Sequence, residues 1–518
     1  MSDLQGTDQA RSVWTKLDDW LNPIVVKEVR QALRGKYFKV VFWITLLAVT
    51  VTCSAILVDM GDRISASGGR NFFLGAYFCL GGAVLAFVPF SAFIAMGSEW
   101  DENTYDLLII SNLKPRQIIF GKLLSTFVQA LLFYSAFTPF IVSSFLLRGV
   151  DIVAVLVVLG GSMLMSLGLS VVAIFMSTLS RVRFARIVLM GALAVLLGFA
   201  TFICIGMGVQ LISQPNIVHG VDSRAGIATF ALVVFVVAAF CFVIACNMIS
   251  HYQENRSTGL RVLTTAVLVI GIAWIRYMLV TTSSGFPRSA VASMGITYVF
   301  IIAIPAIFFA TERESLGIRV APRVSPNGGL ALLCAPFLPG GGRGMILFML
   351  HIAMLLLACF ALNLEVMTRT DNFWDKGLLS LVAGALYAII YVGLPAGVFS
   401  SFTNRPVMRA AVRGFIPLLA LIFAFVPALF GFFIGDRGLT NMEHPGNPAR
   451  IIGRVWTGEF MSMPGTWALI MALTLLALIV NLPRMFAGVY EVGAASRAVA
   501  KRARERAKLE AADAVTGS

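Results

Sequence analysis

The sequence predicts an all-α polytopic membrane protein with about 12 transmembrane helices and with its N- and C-termini in the cytoplasm. Hydrophobic residues make up 58% of the 518 residues and charged residues only 13%. That charged share is about half of the value usual in a soluble domain. The hydrophobic residues fall in blocks of roughly twenty, which is the length needed to cross the hydrocarbon core of a bilayer. A soluble globular domain is therefore excluded.

Charge fixes the predicted orientation of these blocks. The predicted spans are 40–58, 72–97, 123–147, 152–179, 187–212, 226–250, 262–281, 291–310, 344–364, 377–400, 414–435 and 465–483. With the N-terminus inside, the cytoplasmic segments hold 29 Lys and Arg residues and the outer loops hold 10, as the positive-inside rule requires. The net charge of +14 is therefore a topology signal, with some attraction to anionic membrane lipids, and it does not indicate a nucleic-acid partner.

Residues 1–39 form a predicted cytoplasmic leader that contains an amphipathic helix within WLNPIVVKEVRQALRGKYFKVV. The residues that carry this prediction are Asn22, Pro23, Lys27, Glu28 and Arg30. The first two suit the cap and the first helical position, and the charged three alternate with apolar residues. This mixture is typical of a helix that lies flat on the inner membrane surface. An ordinary basic flank that only sets topology is the alternative.

Residues 99–122, EWDENTYDLLIISNLKPRQIIFGK, are polar and amphipathic although they lie between two apolar blocks. Acidic residues come first, basic residues come last, and leucines and isoleucines lie between them. A helix that lies on the membrane surface and docks onto another protein needs such a mixture, since charged groups pair with the partner and apolar groups anchor it. A surface helix that touches only lipid is the alternative, and so many acidic residues fit lipid poorly.

Motifs for catalysis and metal binding are missing from the sequence. It contains no GxxxxGK[ST], no GxSxG and no HExxH, its seven cysteines form no CxxC, and its four histidines are scattered. We therefore expect no enzyme activity, catalytic residue, metal or cofactor in this chain. Nearly all carboxylates lie in loops, tails or span ends, which argues against an ion-driven carrier.

A few polar residues lie inside predicted spans. Arg276 lies in the outer half of its span and is expected to snorkel outward. His351, Asn247 and Gln129 are expected to form hydrogen bonds between helices and not to bind a substrate.

The predicted organisation follows the spans. After the leader, residues 40–250 form a six-helix core that includes 99–122, residues 251–343 hold two spans and a Pro/Gly-rich cytoplasmic linker, residues 344–490 hold four spans, and residues 491–518 form a basic helical tail. Ser98-Glu99-Trp100-Asp101 after the second span is echoed by Thr311-Glu312-Arg313-Glu314 after the eighth. Two six-helix repeats would explain the echo. The second half has nothing like LLIISNLKPRQIIFGK, however, so a chance similarity of polar flanks is the favoured interpretation.

The 99–122 segment resembles the signature of ABC-2-type permeases, the membrane subunits of one class of ABC transporter. That family runs, in outline, Glu-x-(Gly)-Thr-x-(acid)-Leu-Leu, then a turn usually with Pro-Leu, then Ile-x-x-Gly-Lys opening the third span. The matching residues are Glu102, Thr104, Asp106, Leu107, Leu108, Leu113, Ile118, Gly121 and Lys122. Asn103 and Asn112 replace the common glycine and proline, and asparagine tolerates the same turn conformations. The leader Asn22-Pro23-x-x-x-Lys27-Glu28-Val29-Arg30 is also similar to the opening of many such permeases. The resemblance covers about residues 20–250.

The resemblance implies a mechanism. The leader becomes an elbow helix, and the segment after the second span becomes a coupling helix that docks into a separate ABC ATPase subunit. The implied coupling residues are Glu99, Glu102, Thr104, Asp106, Leu107, Leu108, Leu113, Gly121 and Lys122, and the implied elbow residues are Asn22, Pro23, Lys27, Glu28 and Arg30.

The resemblance also implies partners and a location. ATP is bound by the partner subunit, and the chain pairs with a second copy or a related permease in the bacterial cytoplasmic (inner) membrane, with export as the direction implied by analogy with the family. A self-contained 12-span secondary carrier and a non-transporting membrane scaffold are the alternatives.

Overall fold

The computed structural model describes residues 23–60, 68–101, 115–147, 149–179, 182–214, 220–250, 257–281, 288–366, 376–400, 406–434, 444–459 and 462–516. Helices account for 91% of these residues, and none of them lies in a strand. Eleven of the described helices are long and apolar enough to cross a membrane. The prediction of an all-α polytopic membrane protein is thus confirmed. The twelfth predicted span, 414–435, falls on helix Pro406–Ile434, and the count of twelve and the location of the termini stay predictions.

The chain divides into two compact units, Met1–Ser250 and His251–Ser518. The described helices of the first unit are α1 (Pro23–Arg34), α2 (Lys36–Met60), α3 (Gly68–Asp101), α4 (Pro115–Leu146), α5 (Ile152–Thr178), α6 (Arg183–Ser213) and α7 (Val221–Ile249). One apolar cluster joins α2, α3 and α4 through Cys53, Phe72 and Phe133. A second cluster joins α3, α5, α6 and α7.

Helix α3 changes geometry in its middle. It is an α-helix over Gly68–Gly81, a π-helix over Gly82–Phe87 and an α-helix again over Val88–Asp101. Pro89 follows the π segment closely, and its ring nitrogen has no hydrogen to donate to the carbonyl four residues earlier. The missing hydrogen bond is a physical reason for the departure from α geometry at this point.

The described helices of the second unit are α8 (Thr258–Thr281), α9 (Arg288–Ala310), α10 (Gly328–Cys334), α11 (Gly341–Val366), α12 (Lys376–Val398), α13 (Pro406–Ile434), α14 (Pro448–Thr457) and α15 (Pro464–Thr516). Helix α15 has 53 residues and joins the last predicted span to the basic tail. The helix therefore continues through residue 490, where the sequence suggested a boundary.

The two units repeat one arrangement of six long helices. In the first unit the packed pairs are α2–α3, α2–α4, α3–α4, α3–α5, α3–α6, α4–α5, α4–α7, α5–α6 and α5–α7. In the second unit they are α8–α9, α8–α11, α9–α11, α9–α12, α9–α13, α11–α12, α11–α15, α12–α13 and α12–α15. These are the same pairs when the six helices of each unit are taken in chain order. Residues 98–101 form the end of α3 and residues 311–314 directly follow α9, so the echo falls near the end of the second helix in both units, and the repeated packing favours the interpretation as two six-helix repeats.

Candidate functional site: a buried charge frame at each third helix

Three charged residues from different helices of the first unit meet in one buried cluster. Lys122 Nζ, in the second turn of α4, lies 3.2 Å from Glu28 Oε1 on α1 and 2.8 Å from Glu99 Oε1 at the end of α3. The same ammonium group donates a hydrogen bond of 3.0 Å to the carbonyl of Ala95. Lys122 is 2% exposed, and each glutamate is 7% exposed. We call Glu28, Glu99 and Lys122 the ion triad.

The amphipathic pattern of α1 places Glu28 in the triad. Helix α1 packs against α4 and α2, with Glu28 buried while Lys27 and Arg30 remain exposed. A buried charge is costly unless it is paired and hydrogen-bonded. The burial of Glu28 and Glu99 is therefore made possible by Lys122, which supplies one cation to both carboxylates.

A second buried cation, Arg186, holds the end of α3, and sequence reasoning missed it. Arg186, in the first turn of α6, donates a hydrogen bond to the carbonyl of Gly97 and forms an ion pair of 3.0 Å with Asp101. The side chain of Arg186 is buried. The polar run at residues 180–186 was counted only as a topology signal, and nothing in its spacing identifies α3 as its partner.

The structure brings together part of the predicted site. Pro23 is the first residue of α1, and Gly121 lies buried in α4 beside Lys122. Glu102, Thr104, Asp106, Leu107, Leu108, Leu113 and Asn22 lie outside the described residues. One interpretation needs correction: Glu99 and Lys122 were assigned to a charged face that meets a partner. Both are buried and paired with each other, so they do not supply surface charge.

The second unit carries a larger network of buried arginines at the equivalent place. Arg261 in α8 is 0% exposed, forms an ion pair of 2.9 Å with Glu312 and donates to the carbonyls of Pro336 and Gly340, each at 2.8 Å. The residues that surround it lie between α9 and α11. Arg261 therefore ties the first helix of this unit to the segment that follows the second.

Arg343, near the start of α11, is also 0% exposed. It donates to Glu491 Oε2 at 3.1 Å, to the carbonyl of Gly488 at 2.8 Å and to the carbonyl of Glu314 at 3.1 Å. Arg484 Nε donates to Glu314 Oε1 at 2.7 Å. These contacts join the segment after α9 to α11 and α15.

The glutamates of this network also accept backbone N–H groups. Glu312 accepts from Gly340 at 3.2 Å, Glu314 from Gly342 at 2.9 Å, and Glu491 from Leu316 at 2.8 Å. A β-carbon at position 342 would collide with the carbonyl of Arg484. The Pro/Gly-rich stretch predicted only as a linker is thus a packed segment.

Polar side chains inside the spans mostly form contacts between helices, as predicted. Thr265 Oγ1 and His351 Nε2 share a hydrogen bond of 2.8 Å, and Gln129 Oε1 accepts one of 3.0 Å from Ser91. Arg276 is half exposed and pairs with Glu365. Within the described residues no group of three His, Cys, Asp or Glu side chains is placed to hold a metal ion.

The first unit also contains a mainly apolar cavity of about 280 Å³. Side chains from α3, α5, α6 and α7 line it, and its few polar members include Tyr77, Ser162 and Gln210. None of the residues that line the cavity belongs to the ion triad or lies next to a triad residue in the sequence.

No family model, curated protein or solved structure matches this chain. The fold and the buried charge networks define its class: a polytopic α-helical membrane protein built from two six-helix units.

Proposed function

We propose that this chain is the permease subunit of an ABC transporter in the bacterial cytoplasmic membrane. It moves an unidentified substrate, with export as the direction, using ATP hydrolysed by a separate ATPase subunit that docks at residues 99–122. The ion triad is the observation that carries the proposal. Glu28 and Lys122 belong to the motifs that resemble the elbow and coupling elements, and Glu99 is the first residue of the 99–122 segment.

The triad gives the proposed coupling segment a mechanical frame. Glu99 precedes residues 102–114 and Lys122 follows them, so the 2.8 Å ion pair between these two side chains joins the helices on either side of this stretch. Glu28 extends the frame to α1. Breaking a buried pair leaves an uncompensated charge in a medium of low dielectric. A displacement of the segment is therefore passed to α3, α4 and α1 together.

The apolar cavity supports a substrate with an apolar part. Its polar members offer hydroxyl and amide groups but no charge. This composition favours an amphipathic or lipid-like molecule over an inorganic ion.

A purification from native membranes tests the proposal. The tagged full-length chain is extracted in mild detergent, and the copurifying proteins are identified and assayed for ATP hydrolysis. We expect a stoichiometric partner with a Walker A loop. Replacing Leu107 and Leu108 with serine should release it, whereas Leu509→Ser on the exposed part of α15 should not.

If no ATPase copurifies, even after crosslinking within residues 99–122, the permease proposal is wrong. A carrier or a scaffold then becomes the leading explanation. If the Leu107 and Leu108 variant retains both the partner and transport, the assignment of this segment is wrong.

A further inference from the structure

The cavity of the first unit lies in the half of the membrane that the predicted topology places outside. Ser162, its deepest lining residue on α5, is ten residues from the predicted outer end of that span at residue 152, or about 15 Å along the helix. Met207, Gln210 and Gly226 also line the cavity and are exposed. Helices α6 and α7, which carry these three residues, each pack against α5 but are not a packed pair themselves. The cavity therefore opens between α6 and α7, toward the surrounding lipid.

The deeper polar groups of the cavity are already bonded to the protein. The hydroxyl group of Tyr77 donates to the carbonyl of Cys204 at 3.4 Å, and the hydroxyl groups of Ser162 and Tyr134 share a hydrogen bond of 2.7 Å. Gln210 lies at the exposed end. An apolar cavity whose polar groups are satisfied stays dry and accepts apolar molecules. Its volume is about 280 Å³. A methylene group fills about the volume of one liquid water molecule, about 30 Å³, so a chain of about nine fits.

In the second unit a segment of the chain itself lies at the equivalent place. Helix α14 packs against α12, the fourth long helix of that unit. The hydroxyl group of Tyr387, halfway along α12, donates to the carbonyl of Pro445, just before α14. At the other end Lys376, the first residue of α12, donates to the carbonyl of Thr457. The segment therefore lies beside the first half of α12, which the predicted topology also places in the outer half of the membrane.

Equivalent helices surround the cavity and this segment. Side chains from α3, α5, α6 and α7 line the cavity, and their counterparts in chain order are α9, α12, α13 and α15. Ile451 of α14 belongs to one apolar cluster with Tyr387 of α12 and Ile470 of α15. A β-carbon at Gly446 would lie 3.3 Å from the carbonyl oxygen of Phe423 on α13. Helices α12, α13 and α15 thus enclose α14 as α5, α6 and α7 enclose the cavity.

Two glycines of the fourth helices show how the units differ. Gly161 and Gly384 are the tenth and ninth residues of α5 and α12. A β-carbon at Gly384 would meet Ile452 of α14 at 3.6 Å and Ile296 of α9 at 4.0 Å. A β-carbon at Gly161 would meet no neighbouring protein atom within 4 Å. The space that holds an isoleucine side chain beside α12 is therefore part of the cavity beside α5.

The lengths of two connections explain this difference. Residues 214–220 join α6 to α7, whereas residues 435–463 join α13 to α15. The first connection has seven residues, which is fewer than the ten of α14 alone. The first unit therefore has no segment between its fifth and sixth helices that could supply such a helix. Membrane lipid is the apolar material at the open side of the cavity.

We propose that the cavity binds one alkyl chain of a lipid, which enters from the outer half of the membrane between α6 and α7. The alkyl chain takes the place that the apolar side chains of α14 hold in the second unit, and the neutral amide of Gln210 meets its polar end. The lining residues carry no charge, and the site involves no ATPase, so this inference goes beyond the proposed function. The ligand is defined by its alkyl chain, whether it is a resident phospholipid or the molecule that the permease moves.

Photolabelling in lipid nanodiscs tests the site. The full-length chain is placed in phosphatidylcholine and phosphatidylglycerol with a trace of phosphatidylcholine that carries a diazirine on one acyl chain. Labelling of the cavity lining, measured by mass spectrometry of peptides, is divided by labelling of α2, whose Ile44 and Leu47 are exposed. Gly161→Leu should lower this ratio by about fivefold, because a close-packed site leaves no room for a chain. Gly160→Leu adds the same side chain at an exposed neighbour outside the lining and should leave the ratio unchanged.

A second measurement uses the unaltered chain. Decan-1-ol has a chain that matches the cavity volume, so it should compete for the site and lower the labelling of the cavity but not that of α2. Butan-1-ol fills a smaller part of the volume and should compete far less at the same membrane concentration. ATP is then added to the complex with its copurified ATPase. A fall in cavity labelling identifies the ligand as transported, and unchanged labelling identifies it as a resident lipid.

The inference is wrong if Gly161→Leu, with a melting temperature no lower than that of the wild type, keeps the wild-type ratio. It is also wrong if Gly160→Leu lowers the ratio equally, or if decan-1-ol lowers the labelling of the cavity and of α2 to the same extent. If Gly161→Leu does not fold, the competition by decan-1-ol decides. Copurification of an ATPase is a separate measurement, so either proposal can fail while the other stands.

Discussion

Lys122 Nζ lies 2.8 Å from Glu99 Oε1, so a residue near the start of α4 is bonded to one near the end of α3. The 22 intervening residues include the stretch that resembles a coupling helix. Both side chains are buried, and the pair joins α3 to α4 near the helix ends that adjoin that stretch. The pair matters because it joins two helices, since a buried ion pair by itself contributes little net stability.

Removing the cation of the triad should be strongly destabilising. Lys122→Met leaves Glu28 and Glu99 buried without their shared partner, and we expect a loss of about 3–5 kcal/mol in the free energy of unfolding. The measurement is an unfolding titration of the purified chain in mixed detergent micelles. Lys501→Met is the matched control, because that side chain is exposed on α15, and it should change stability by less than about 0.5 kcal/mol.

The same triad predicts a rescue. The triple variant Lys122→Met/Glu28→Gln/Glu99→Gln has no unpaired charge left, so we expect it to regain more than half of the stability lost in Lys122→Met. If the triple variant loses as much free energy of unfolding as Lys122→Met, or more, then the cluster requires the shape of Lys122 and not its charge.

A single added methyl group should have opposite effects at two glycines. In Gly342→Ala the new β-carbon meets the carbonyl of Arg484, which cannot move without displacing α15, so we expect a loss of about 1–3 kcal/mol. In Gly453→Ala the new β-carbon meets nothing within 4 Å and lies inside α14. Alanine should stabilise that helix by about 0.5–1 kcal/mol. Melting temperatures of the two variants check both signs.

Arg261→Lys should loosen the segment between α9 and α11 although it keeps the charge. The guanidinium of Arg261 bonds Glu312 and the carbonyls of Pro336 and Gly340 at once, and an ammonium group has fewer donors in a different geometry. We expect faster chymotrypsin cleavage within residues 311–340. Arg502→Lys, on the exposed part of α15, should leave the cleavage rate unchanged, and equal rates in both variants would contradict the role given to Arg261.

Cys334 reports the orientation of the second unit. The other six cysteines are buried or half-buried, so a membrane-impermeant maleimide should label chiefly Cys334. If residues 311–343 are cytoplasmic, labelling should require inside-out vesicles or permeabilised cells. Labelling in intact cells would reverse the predicted topology. Cys334→Ser provides the background.

Sequence reasoning named the three residues of the ion triad but did not predict that they meet. Glu28, Glu99 and Lys122 were singled out because their motifs resemble elbow and coupling elements. Their meeting depends on how α1, α3 and α4 pack, and residues 28 and 122 are far apart in the chain. Arg186 was overlooked for the same reason, since a basic residue in a short loop has the same pattern whether it faces solvent or caps another helix.

The sequence by itself determined that the protein is a polytopic helical membrane protein, because apolar block length and the unequal distribution of Lys and Arg follow from the bilayer as solvent. Only the tertiary structure decided that the chain is a repeat of one six-helix arrangement. The two units have the same pairs of packed helices, and the sequence does not reveal this because many different apolar side chains allow the same packing. Packing likewise decided the roles of Lys122 and Arg343. A charged side chain links helices in this way only when folding buries it next to an oppositely charged partner.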